Sequence, residues 1–282
     1  NRLWRLPSTS AMPDADVMIV MQNYLIPRLL FLPQRKGKII GSIHMDYDAM
    51  IQDADEASRS WWKQFLLIDQ QLKVPRFAVS HGAKASAEQL GIKVNAVIPN
   101  GINLKEFNAH GHAVGSNRPL RVMLFCAPAP PKGQAFGCRV IGEIQKIYSG
   151  ARIKFISSWQ IKPQWKSIFH ENLGYLHGPA YVNAYQSADI FVYPALRDGF
   201  PAPPLEAMAC GSALVTTSVQ GVIEYGIDGI NCLISEPNDV ETMVKNIGRL
   251  IDDPSLRERL SKAALETVKK YYSSNSQIKS NL

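Results

Sequence analysis

The stretch ADIFVYPALRDGFPAPPLEAMACG, residues 188–211, carries the reading of this chain. Its opening run, Ile190, Phe191, Val192 and Tyr193, is short and rich in β-branched and aromatic residues, the pattern of a strand buried in a parallel sheet. A tight polar turn follows. Leu205, Ala207, Met208 and Ala209 are then good helix formers closed by Gly211, and Pro203 and Pro204 fit the first helical turn, where a missing amide costs little. The junction places Asp198 on the loop at the carboxyl end of a strand and Glu206 near the first turn of the helix, eight positions on. Open α/β sheets bind their ligands at that end.

As a string, the segment resembles the Glu-x₇-Glu signature of retaining GT-B glycosyltransferases of family 4, whose wording is close to EGFGLPxLEAMACG. The resemblance implies an α/β protein of GT-B architecture, two Rossmann-like domains with parallel sheets facing a cleft. It also implies roles: Glu206 holds the ribose hydroxyls of a sugar nucleotide, and Asp198, with the loop Gly199, Phe200, Pro201 and Ala202, meets the sugar being transferred and its diphosphate. An acidic residue placed for the dipole of a helix amino terminus is the plainer reading, but it explains one carboxylate and not the whole string.

Other segments extend the resemblance. Residues 76–107 read as a strand ending in Ser80, a helix to about Leu90, a second strand and the turn PNGIN, similar to the family passage that closes its first domain, with Asn103 in place of the usual aspartate. Pro99-Asn100-Gly101 is a strong turn signal, and the resemblance puts Asn100 and Gly101 at the interdomain cleft; an ordinary turn is the alternative. Residues 120–157 open a second α/β unit, with strand LRVMLFCA, loop PAPPKG, and a helix carrying Phe136, Val140, Ile144 and Ile147 at helical spacing. Lys132 matches the family lysine that neutralises the donor diphosphate, unless it is simply a solvated surface lysine. Leu176, His177 and Gly178 match a Leu-x-Gly passage whose backbone meets the nucleobase. Glu224 and the Asp228-Gly229 turn read as structural.

Before residue 76 the signal is thinner. PDADVMIVMQ and KGKIIGSIHMDYD read as strands, the second ending near His44. The resemblance makes His44 the first-domain residue facing the donor sugar, against the alternative of an ordinary surface or core histidine. The expected division is an incomplete acceptor-side domain over 1–113, a nucleotide-sugar domain over 114–270, and a tail, 271–282, that returns to the first domain. Only about a hundred residues precede PNGIN, and the expectation is that an amino-terminal portion is missing.

Composition agrees with two α/β domains: 282 residues, 46% hydrophobic, a formal charge of +7 and four cysteines, Cys126, Cys138, Cys210 and Cys232, without metal-ligand spacing. Free buried thiols and a cytoplasmic setting fit best, with no secretory signal and no uncharged run able to cross a bilayer. The basic residues are scattered rather than interleaved with stacking aromatics, which argues against nucleic acid. Arg28, Arg35, Lys36 and Lys38 beside Leu29, Leu30 and Phe31 could touch an anionic membrane surface, or form a solvated basic loop.

The chemistry implied is metal-independent, retaining transfer from a nucleoside-diphosphate sugar to a saccharide or lipid-linked acceptor, with no cofactor. The acceptor attacks on the face from which the diphosphate leaves. Lys132, the amides around Gly199 to Ala202 and the helix dipole would stabilise the leaving group. The chain departs from the pattern at Ala127, where an arginine is usual, at Asp198 for glutamate, and at Pro201, which removes an amide. These departures keep open a non-catalytic GT-B-like subunit that binds a sugar nucleotide or a partner enzyme, and, with less support, a sugar-nucleotide epimerase. A phosphorylase would need a pyridoxal phosphate or free-phosphate site that the sequence does not display.

Overall fold

The computed structural model describes residues 13–21, 23–33, 36–44, 47, 51, 54–111, 118–125, 127–148 and 153–274. Two compact units divide between Pro99 and Asn100.

In the first unit, strands β1 (Val17–Val20), β2 (Lys38–Ile43), β3 (Arg76–Ala78) and β4 (Ala96–Val97) lie side by side in that order, all parallel. Helices α1 (Ile26–Leu29), α2 (Glu56–Asp69) and α3 (His81–Gln89) connect them. Asp55 and Ser80 start α2 and α3 by accepting the amides of Ser58 and Ala83 on their side chains, which satisfies donors that an uncapped helix would leave free. Ile43, Phe65, Leu66, Ala78, Ala83, Ala87, Ile92 and Val94 form the core. A buried ion pair crosses its edge: Arg76 donates to Asp69 at 2.7 Å and to the carbonyls of Leu72, Val74 and Asp69. Burial raises the Asp69 pKa and the Arg76 guanidinium opposes the rise.

The basic cluster expected near residue 36 is only partly a free surface. Lys36 is buried and paired with Asp14 at 2.9 Å, and Leu29 is buried, so neither is available to a membrane; Lys38, Leu30 and Phe31 are exposed. Arg35 and the side chain of Arg28 lie outside the described residues. Among the described residues no helix is long and apolar enough to cross a membrane.

The second unit is built on a six-stranded parallel sheet of β5 (Leu120–Leu124), β6 (Ile153–Ser157), β7 (Glu171–Asn172), β8 (Ile190–Tyr193), β9 (Ala213–Thr217) and β10 (Leu233–Ser235), ordered β10-β9-β8-β5-β6-β7. Counted from one within this sheet, the order is 3-2-1-4-5-6, the doubly wound arrangement whose topological switch falls between its first and fourth strands. Those strands are β5 and β8. Helices α4 (Gln134–Ile147), α5 (Gly178–Ser187), α6 (Ala202–Ala209), α7 (Val240–Asp252) and α8 (Pro254–Thr267) connect them, with a π-helical turn over Val268–Tyr272. Every residue of β8 and β9 is buried, as expected of central strands in a parallel sheet covered on both faces. Arg118 holds the start of β8 through a two-pronged contact with Asp189, at 2.7 and 2.9 Å.

Two expectations need correction here. Pro99-Asn100-Gly101 forms no turn. The turn comes at Leu104–Glu106 and is set by Asn103, whose carbonyl accepts the amides of Glu106 and Phe107 and whose side chain accepts that of Lys105. The units part at Pro99 rather than at the expected residue 113, because Ile102 bridges to Ser273 and Phe107 packs edge-on against Tyr181 and Tyr185, tying this segment to the second unit. The same bridge joins Ser273 to the second unit rather than the first, while residues 275–282 lie outside the described residues. Cys138, Cys210 and Cys232 are buried free thiols; Cys126 lies outside the described residues.

Candidate functional site

The carboxyl ends of β5 and β8 carry the loops that matter. After β5 the chain makes a 3-10 turn over Pro130–Lys132 and enters α4 through Gly133, whose φ of +69° is the left-handed conformation that glycine adopts without strain. No side chain fits there: a Cβ on Gly133 would stand 1.9 Å from the carbonyl oxygen of Pro194. The loop after β8 is stitched to this turn, since the amides of Leu196 and Arg197 both donate to the carbonyl of Pro131, at 2.7 and 3.2 Å.

This stitching delivers Lys132 to Asp198. Lys132 Nζ and Asp198 Oδ2 form an ion pair, and the buried hydroxyl of Tyr193 donates to the same oxygen. Burial and the carboxylate together push the Tyr193 pKa well up, so the hydroxyl keeps its proton and remains a donor. Behind the loop, Gly221 donates its amide to the Asp198 carbonyl at 3.0 Å and lies so close to Gly199 that a Cβ would meet backbone at 2.5 Å. Phe200 packs against Tyr225 and Tyr272, and the Tyr225 hydroxyl donates to the Pro201 carbonyl at 3.1 Å. The loop from Asp198 to Pro201 is thus held from β5, from β9 and from the carboxyl-terminal turn.

Pro201 precedes α6 and Pro203 and Pro204 occupy its first turn. Ala202 and Leu205 therefore supply the only amides among the first four helical positions, which makes this a sparse amide cluster for an anion.

Glu206 stands on the second turn of α6. Tyr181 of α5 donates its hydroxyl to Glu206 Oε2 at 2.7 Å, and the Tyr185 hydroxyl lies 2.9 Å from that of Tyr181. Burial raises the Glu206 pKa above the usual carboxylate range, the Tyr181 hydroxyl pulls it back, and Glu106 adds to the rise. Leu176, His177 and Gly178 sit at the amino end of the same α5, with His177 and Gly178 exposed. The His177 ring stands edge-on to Tyr175 at 4.3 Å, and Tyr175 lies 4.5 Å from Trp159.

One sheet edge therefore gathers Lys132, Asp198 and the loop Gly199 to Ala202, and α5 joins Leu176 to Gly178 with Glu206. Asn100 and Gly101 open the second unit outside any helix, strand or turn. His44 belongs to the first unit, directly after β2; its Nε2 is 2.7 Å from the Ser42 hydroxyl, and burial lowers its pKa. Sequence reading missed Tyr181, which reaches Glu206 from another helix, and Tyr193, which sits in a strand whose apolar pattern speaks only of burial.

Solved structures share this architecture. A sucrose-phosphate synthase from Thermosynechococcus elongatus superposes with a TM-score of 0.73 over 94% of this chain and 72% of its own, at 17% identity. HepE of Anabaena in complex with UDP-glucose gives 0.75 over 94% and 77%, at 13% identity. The fold is GT-B. Within this GT-B chain, residues 170–267 match the family model described as glycosyl transferases group 1. A stretch of 90 residues is 33% identical to the N,N'-diacetylbacillosaminyl-diphospho-undecaprenol alpha-1,3-N-acetylgalactosaminyltransferase of Campylobacter jejuni, covering 32% of this chain and 24% of that protein. A stretch of 99 residues is 34% identical to the O-antigen chain mannosyltransferase B of Escherichia coli, covering 35% of this chain and 26% of that protein. The match spans about a quarter of the length of these curated relatives.

Proposed function

We propose that this chain is a glycosyltransferase that moves a sugar from a nucleoside-diphosphate donor to a saccharide or lipid-linked acceptor, with retention of configuration and without a metal. The observation that carries the reading is the meeting of Lys132 and Asp198 at the topological switch of the second unit, with Glu206 on the helix that follows. The UDP-glucose complex of HepE and the lipid-linked and O-antigen sugar transferases among the relatives support the donor and acceptor classes.

In this reading Glu206 accepts hydrogen bonds from the ribose hydroxyls, and backbone groups of Leu176, His177 and Gly178 meet the base. Lys132 stabilises the charge that grows on the departing diphosphate, helped by the amides of Gly199, Phe200 and Ala202. With a proline at 201 and two more in the helix start, Lys132 carries much of that load. Asp198 is the sugar-side carboxylate. The acceptor attacks from the face that the diphosphate leaves, so the diphosphate oxygen can take the acceptor proton as the bond breaks. His44 is assigned to the transfer step rather than to nucleotide affinity. Exposed Leu30 and Phe31 with Lys38 suit peripheral contact with an anionic membrane at the cytoplasmic face.

Incubation of the chain with UDP-, GDP-, dTDP- and ADP-sugars and a lipid-linked saccharide, followed by NMR of the anomeric proton, tests the proposal. A product of the donor's own anomeric configuration, lost in Asp198→Ala, supports it. The thin amide cluster favours a second reading, a subunit that binds the donor without transferring it; tight binding with no product would select that reading.

A further inference from the structure

We infer that Tyr181 is a positioning residue for Glu206, fixing one carboxylate oxygen so that the other is presented to the ligand; the inference rests on the ribose role proposed for Glu206. A glutamate has three rotatable bonds, and a carboxylate that must accept from two neighbouring hydroxyls works best when its plane is set beforehand. Tyr181 supplies that constraint. Its hydroxyl donates to Oε2 at 2.7 Å, while Oε1 takes no side-chain donor among the described residues.

The direction of the Tyr181 proton is set by its neighbour. A phenol has one hydrogen, and the Tyr185 hydroxyl, one helical turn on and 2.9 Å away, can donate to the Tyr181 oxygen and leave the Tyr181 hydrogen to Glu206. The two rings lie 4.6 Å apart and Phe107 stands edge-on to both, so the pair cannot swing away without breaking packed contacts. Tyr185 is fully buried, which anchors the relay in the core.

The groups facing Glu206 are Tyr181 and Tyr185 from α5, Glu106 from the segment after Gly101, Cys210 one turn on at the end of α6, and Tyr225 from the segment after β9. Burial and Glu106 favour the protonated acid, and the Tyr181 hydroxyl favours the ionised form that can accept from ribose. Removing the hydroxyl therefore has a signature that lost packing lacks.

The test uses Tyr181→Phe, which keeps the ring, and Phe107→Leu, which loosens the packing and keeps the hydroxyl. Affinity for UDP, GDP, dTDP and ADP is measured by calorimetry across the acid range, and Glu206 ionisation is followed without ligand by its infrared carboxyl band, assigned with Glu206→Gln. Tyr181→Phe is expected to weaken binding of the preferred nucleotide about tenfold, as for loss of one bond to a charged group. The pH at which binding fails should move upward, and Phe107→Leu should leave that pH unchanged. Wild-type affinity and an unmoved pH profile in Tyr181→Phe would overturn the inference, as would a loss equal at every pH. If the wild-type chain binds no nucleotide, the ribose role fails separately; the infrared titration then decides, with an upward shift in Tyr181→Phe sustaining the positioning contact and no shift removing it.

Discussion

Lys132 and Asp198, 66 residues apart in the chain, meet as an ion pair because the loops after β5 and β8 are bonded to each other at Pro131. The pair cross-links the two loops of the topological switch and leaves a cation beside a carboxylate where a sugar diphosphate would bring both a phosphate and hydroxyls.

Lys132→Ala should cost affinity for a nucleoside diphosphate and leave that for the nucleoside alone nearly unchanged. One charge-assisted contact is worth about 1.5–3 kcal/mol, so the expected loss is roughly tenfold to a hundredfold. Calorimetry with both ligands measures it. An equal loss for nucleoside and diphosphate would remove Lys132 from the phosphate.

Gly133→Ala should destabilise the second unit, since the new methyl meets the Pro194 carbonyl and the backbone is held at a φ of +69°. The left-handed conformation alone costs about 1–3 kcal/mol. Gly142, inside α4, has open space around its Cβ position, and Gly142→Ala should stabilise by about 0.5–1 kcal/mol. Urea unfolding of the two variants should give opposite signs.

Glu206→Gln should separate stability from binding. Burial raises the Glu206 pKa, so the folded protein holds that proton more tightly than the unfolded chain, and stability falls as pH rises from the unfolded value through the folded one. Above the folded value the full cost of the buried charge is present. The glutamine variant should then melt at or above the wild-type temperature while binding nucleotide less well; a lower melting temperature would mean that the carboxylate is a structural anchor.

Glu171 should show the reverse pH behaviour. Its bond to Arg121 at 2.8 Å, with help from Lys154, holds its pKa below the ordinary carboxylate value. The stabilisation is present above the unfolded pKa and is lost as pH falls through the folded one. The side chain is 31% exposed, which limits the effect to about 1 kcal/mol or less. Glu171→Gln should flatten the acid limb of a stability profile by that amount, and an unchanged limb would assign no net value to the pair.

The local reading of the sequence was strongest where one element declares itself. Ile190 to Tyr193 and the helix after Pro201 stand as read, because a doubly buried strand and a proline-started helix have signatures within a few residues. Pro99-Asn100-Gly101 misled because a turn signal is only a permission; Ile102, directly after it, bridges to Ser273, and Asn103 makes the turn instead. Lys132, Asp198 and Glu206 were each legible as members of a motif, but their partners were not. Tyr193 lies on a strand whose pattern speaks only of burial, and Tyr181 lies 25 residues from Glu206 on another helix. Lys36 read as a basic surface residue and is buried, because Asp14 pairs with it.

The most direct test of the central claim is calorimetric titration of the whole chain, without added metal, with UDP, GDP, dTDP and ADP and their sugars, repeated on Glu206→Gln. One base class should bind, and the glutamine variant should lose about tenfold or more of that affinity while remaining folded. Equal binding by both proteins, or binding of none by the wild-type chain, would contradict a nucleotide-sugar site built on Glu206.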